Sequence, residues 1–150
     1  MRTISKLLFR LIAIGALAFS AITFGSPNAQ AAIRAFPANG GTCVGSQVLR
    51  CLELRFDDAT EYMVARAEIT DPAGGSSVDV KVKQVCIHGV GCSGPTAREG
   101  YKAGLSSPTG WCVQGTIMKV DFSASFEWWD VGTGFHGQEL RTGQANFTCT

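Results

Sequence analysis

The stretch "IMKVDFSASFEWWDVGTGFHGQELRTGQANFTC", residues 117–149, reads as two strands and the turn between them. In its first half Met118, Val120, Phe122, Ala124, Phe126 and Trp128 alternate with Lys119, Asp121, Ser123, Ser125 and Glu127. Successive side chains leave a pleated chain on opposite sides, so this period of two marks a half-buried strand with its even-numbered side toward the core. The second half carries Ala145, Phe147 and Cys149 on its odd side. Directly opposed residues of an antiparallel pair share a face, so each even core residue has to meet an odd one. A primed turn at Gly132-Thr133 gives that parity and sets Met118 against Phe147, Val120 against Ala145 and Trp129 against His136. It also sets Cys149 opposite Thr116, so a bridge to Cys112 needs a bend or bulge at Gly115 or Gly143.

The same period recurs upstream. "QVLRCLELRF" (47–56), "YMVARAEIT" (62–70) and "SSVDVKVKQVCI" (76–87) read as strands, with "DDATE" (57–61) and "DPAGGSS" (71–77) as turn chemistry between them. No helical period survives over a full window after residue 31, and there is no repeat. The fold class this implies is all-β, a small antiparallel β-sandwich or barrel of five or more strands. Residues 93–110 offer little to pack beyond Tyr101 and Leu105, and read as a surface loop with at most one helical turn around "AREGYKAG".

Residues 1–31 carry a different pattern. Arg2, Lys6 and Arg10 precede an uncharged apolar run, Leu11 to Phe24, and Ala29-Gln30-Ala31 supplies the small residues a signal peptidase reads. This is the pattern of a secretory signal peptide, too short in its apolar part to span a bilayer as a helix, which needs roughly 18–20 residues. Cleavage after Ala31 would leave one domain, 32–150, in the external medium or in a periplasmic or envelope compartment. It would also remove three of the 13 basic residues and leave ten against 12 acids. A mature chain of that charge, with no run of Lys or Arg, lacks the footprint of a nucleic-acid binder and the polybasic patch of a membrane-surface protein.

All six cysteines, Cys43, Cys51, Cys86, Cys92, Cys112 and Cys149, lie beyond residue 31. An even number in a small exported chain reads as a disulfide framework of up to three bridges. In "VCIHGVGCSG" (85–94) the spacing of Cys86 and Cys92 does not fit a structural zinc site and no second pair answers it. Glycines at 89 and 91 suit a loop closed by a disulfide. Cys43 and Cys51 flank another short span, which leaves Cys112 for Cys149. No cofactor or metal is implied.

Function is less legible. Trp129 breaks the polar side of its strand, beside Asp130 and opposite His136, with Phe135 at the hairpin tip. These are the candidate binding residues, a stacking platform for a sugar ring or a partner's side chain, with loop residue His88 as a further contact. The expected function is that of an exported, non-catalytic module that recognises a protein or a glycan through its aromatic hairpin tip and loops. One alternative is an enzyme inhibitor presenting the closed loop 86–92, preordered for insertion into a cleft. Another is a small secreted hydrolase with ribonuclease-like chemistry, with Glu127 as base, His136 as acid and Arg141 as anion clamp. "NFT" at 146–148 also fits a glycosylation acceptor, though within an expected strand.

Overall fold

The computed structural model describes residues 32–74, 77–98 and 100–150; the leader expected at 1–31 lies outside these. Ten strands follow in chain order: β1 Ile33–Pro37, β2 Cys43–Val44, β3 Leu49–Asp57, β4 Tyr62–Thr70, β5 Val78–Ile87, β6 Gly91–Ser93, β7 Lys102–Ser106, β8 Gly110–Trp111, β9 Ile117–Asp130 and β10 His136–Thr148. They form two antiparallel sheets. The first runs β1-β3-β4-β7, with β2 on β3 and β8 on β4; the second runs β10-β9-β5-β6. The chain is a disulfide-stapled β-sandwich, with no helix among the described residues.

The alternating strands bury the faces their sequences mark. Leu52, Leu54 and Phe56 of β3 and Met63, Ala65, Ala67 and Ile69 of β4 meet Val120, Phe122, Ala124 and Phe126 of β9 across the interior. Each large apolar side chain removed from water in this way contributes about 1.5–3 kcal/mol before chain entropy is counted. On β5 the alternation slips at a bulge between Val82 and Gln84, so Val80 and Val82 share the core with Val85 and Ile87. The slip turns Cys86 away from the core, opposite Ser123.

β9 and β10 pair in the expected register, Met118 with Phe147, Val120 with Ala145 and Trp129 with His136. The turn between them is wider than a two-residue primed turn. Positive φ falls at Gly134 (70°), not at Gly132 or Thr133. Asp130 decides this: its Oδ1 accepts from the backbone N–H of Gly132 (2.9 Å) and Thr133 (3.0 Å), holding residues 131–135 as one capped loop. Glycines on the inner side of β10 face bulky partners. A Cβ at Gly143 would stand 2.3 Å from the Phe122 ring, and one at Gly137 would stand 2.2 Å from the Trp128 ring.

The segment 93–110 is not a loose loop, and its described residues form no helical turn. Thr96 N–H donates to the Val82 carbonyl (2.9 Å), and Val80 N–H to that of Gly100 (3.0 Å), so the chain runs along the open edge of β5. It then crosses to the first sheet as β7 and β8 on β4. Unpaired edges of β4 and β5 offer backbone hydrogen bonds that a glycine-rich chain can satisfy without side chains to pack. β1 does the same at the opposite side. It pairs with β3, while Arg34 donates to the Thr148 carbonyl (3.0 Å), Asn39 N–H donates to that of Thr142 (2.9 Å) and Phe36 stacks on Phe147.

Three disulfides join Cys43 to Cys51, Cys86 to Cys92 and Cys112 to Cys149. The first two tie adjacent strands. The third is reached through a turn at 113–116, where Gly115 takes a φ of 77° and donates its N–H to the Cys149 carbonyl. Gly115 is thus the bend the register requires. Three such bridges imply an oxidising environment.

Candidate functional site

At one end of the sandwich three connections meet: the entry to β3, the β4–β5 turn and the β9–β10 turn. Between them lies an open cleft of about 630 Å³ lined by Val48, Asp71, Trp128, Asp130, Thr133 and Phe135 among others. Asp130 caps its own loop, and the capped loop projects Val131 and Phe135, the latter 57% exposed. Asp71 is 4% exposed and caps the β4–β5 turn, its Oδ1 accepting from Ala73 N–H at 2.9 Å. Val48, Val78 and Trp128 are among the apolar residues lining the cleft.

Trp129 lies beside this cleft on the outer face of the second sheet. The imidazole of His136 stacks on its ring from the β10 side, with centroids 5.0 Å apart and planes within 5°. From the β5 side the Arg98 guanidinium covers the ring at 4.4 Å and pairs with Asp79 at 2.7 Å. The segment 94–101 therefore brings a guanidinium, an indole and an imidazole into one row across the sheet. Both faces of the Trp129 ring are occupied by the chain itself, so a planar ligand reaches its edge or has to displace Arg98. Phe135 and Tyr101, whose carbonyl accepts from Asp71 N–H, are the exposed aromatics at this end among the described residues.

In the next row Glu127, largely buried, accepts from His136 Nε2 at 3.1 Å and from Gln138 Nε2 at 2.9 Å, with Lys83 Nζ at 3.6 Å. Glu127 and His136 are thus in contact, but Arg141 is not with them. It lies on the inner face of β10, 4% exposed, and its Nη atoms donate to the carbonyls of Asn39, Gly41, Thr42 and Arg50. Burial pulls its pKa below the ordinary arginine range, partly countered by the nearby Glu139 carboxylate. The three residues of an acid, a base and an anion clamp do not share one surface.

His88 belongs to the opposite end of the molecule. Its backbone N–H donates to Asp121, nine residues along β9 from Asp130, which places the two ends roughly 30 Å apart. Its Nε2 lies 3.3 Å from Ser123 Oγ, and no carboxylate completes that pair. Beside it a second cleft, about 580 Å³, is lined by Val90, Pro108, Trp111 and Met118. Trp111 stands 70% exposed there, next to Tyr62 on β4. Sequence reasoning missed Trp111. The usable signal was an aromatic in "SSPTGWC", where proline and glycine leave no alternating partner to bury it. Among the described residues no three His, Cys, Asp or Glu side chains gather as a metal site.

No protein-family model, no curated protein and no solved structure matches this chain.

Proposed function

We propose that this protein is an exported, non-catalytic binding module that recognises a protein or a glycan through the hairpin end of the sandwich. The observation that carries this reading is the convergence of three connections on one open cleft, with Phe135 exposed at its rim. Binding residues concentrate on loops held by a rigid scaffold, and a sandwich gathers its loops at its two ends. Trp129 and His136 act in this reading as a supporting row behind the cleft, and Asp130 as the cap that fixes the projecting loop. The separation of Arg141 from Glu127 and His136 weighs against the hydrolase alternative.

The inhibitor alternative draws on a different observation, the exposed Val90 within the disulfide-closed loop 86–92 and the exposed Trp111 beside it. One experiment separates the readings. The processed wild type, Phe135→Ala and Trp111→Ala are each screened on a neutral and charged glycan array and against extracellular proteins. The module reading expects ligands that Phe135→Ala loses and Trp111→Ala keeps. Ligands lost only by Trp111→Ala would move the function to the other end.

A further inference from the structure

We propose that the end of the sandwich opposite the hairpin is a self-association surface, on which two copies of this chain pair about a two-fold axis with Trp111 of each seated against the cleft of the other. Such a dimer leaves the hairpin end open on both copies, so this surface is independent of the reading given to that end. Six of the ten large apolar side chains that stand exposed among the described residues gather here: Ile33, Tyr62, Val90, Trp111, Val113 and Ile117. Strand pairing makes them neighbours. Tyr62 lies opposite both Trp111 and Asp57, and Asp57 in turn lies opposite Ile33. Val113 and Ile117 flank the turn beside the Cys112–Cys149 bridge. Val90 packs over Gly110, where an added Cβ would stand 2.9 Å from its Cγ2.

The size of the patch fits a second copy. At 40–81% exposure the six side chains present roughly 600–900 Å² to water, taking about 150–250 Å² for a large apolar side chain. The largest apolar patch of a solitary domain is about 300–600 Å², and a stable interface covers about 800 Å² of each partner. The relief of the surface also suits a copy of itself. Trp111 stands at the wall of the cleft lined by Val90, Pro108 and Met118, and a neighbouring cleft of about 450 Å³, lined by Ile33 and Tyr62, shares Met63 and Thr109 with it. A two-fold axis brings the same patch of both copies together, so a projecting side chain beside a hollow inserts and receives at once. Charges at the border carry both signs. Arg34 pairs with Asp58 at 2.6 Å, while Arg55, Arg66 and Asp57 line the second cleft. A mixed border sets no single sign against itself when the patch meets its copy, and it lacks the excess of cations that draws a protein to an anionic bilayer.

The test follows the processed chain by sedimentation equilibrium and by tryptophan emission over about 1–300 µM, where an interface of this size with modest anchoring begins to hold. The mass is expected to rise from one chain toward two, with emission shifting to the blue as Trp111 leaves water. Trp111→Ser should weaken pairing about a hundredfold, because the lost anchor counts once on each copy, and should abolish the blue shift. In dilute solution, well below the dissociation constant, the wild type is also a single chain and the two should melt alike, which separates loss of the interface from loss of the fold. Leu140→Ser, which alters an exposed leucine on the edge strand β10, should pair as the wild type does. A single chain at every concentration overturns the proposal; if that chain floats with phosphatidylcholine vesicles and Trp111→Ser does not, the patch belongs to a lipid surface instead. Pairing that survives Trp111→Ser, or that Leu140→Ser abolishes, puts the interface elsewhere and overturns it as well. Assembly that grows past two chains without limit contradicts the two-fold axis.

Discussion

Arg141 is the side chain on which the second sheet and the amino-terminal segment meet. One guanidinium satisfies four carbonyls, of Asn39, Gly41, Thr42 and Arg50, and so fixes the 39–51 segment against β10. Arg141→Ala would strand those acceptors and is expected to destabilise the protein by about 3–5 kcal/mol, read as a fall in the urea midpoint. Arg141→Lys should recover only part of it, because an ammonium lacks the planar fork. The glycines of β10 give a second comparison. Gly143→Ala meets the fully buried Phe122 ring and should cost about 1–3 kcal/mol, whereas Gly137→Ala meets the half-buried Trp128, which can swing outward, and should cost less. At this scale the sequence spoke through parity. The odd position of Arg141 among Ala145 and Phe147 marked it as inward, but nothing local told which carbonyls it would meet, since they lie some ninety residues away in the chain. Trp129 and His136 were paired by the same parity; Arg98 was not, because it arrives from a segment without alternation.

Among elements, strands with strict alternation were legible in extent and register, as β4 and the β9–β10 pair show. The short strands β1, β2, β6, β7 and β8 were not, because they exist as edge partners and carry too few residues to show a period. Their stability comes from neighbouring backbone and from covalent ties. The Cys112–Cys149 bridge, spanning 37 positions, is the longest of the three loops closed. A Cys112→Ser, Cys149→Ser double variant is expected to lose about 3–4 kcal/mol, the chain-entropy value for a loop of that length. Removing the Cys43–Cys51 bridge, which closes a separation of 8 between paired strands, should cost less. Chemical denaturation of the two variants in parallel checks the order. The edge-covering run 94–101 should exchange its amide hydrogens faster than β9, as it makes isolated hydrogen bonds where β9 is paired on both sides.

For the molecule as a whole, the sandwich has two unlike ends. The hairpin end is a mixed cleft of two carboxylates and apolar side chains, with Phe135 and Tyr101 exposed beside it. The opposite end gathers exposed apolar side chains, Ile33, Tyr62, Val90, Trp111, Val113 and Ile117. Trp111→Ser should therefore raise solubility without lowering the unfolding midpoint, measured by concentration-dependent light scattering beside a melt, because the side chain is exposed in the fold. Neither end could be assembled from the sequence, since each joins residues from three or more connections brought together by the two sheets. Three specific bridges brace the fold, two within a sheet each and Cys112–Cys149 between the end of β8 and the end of β10 in the other sheet, so that the connections form fixed surfaces. Non-reducing peptide mapping by mass spectrometry tests this central claim most directly. The account predicts no alkylatable thiol and three linked pairs, Cys43 with Cys51, Cys86 with Cys92 and Cys112 with Cys149. A different pairing, or free thiols at these positions in the native protein, would contradict it.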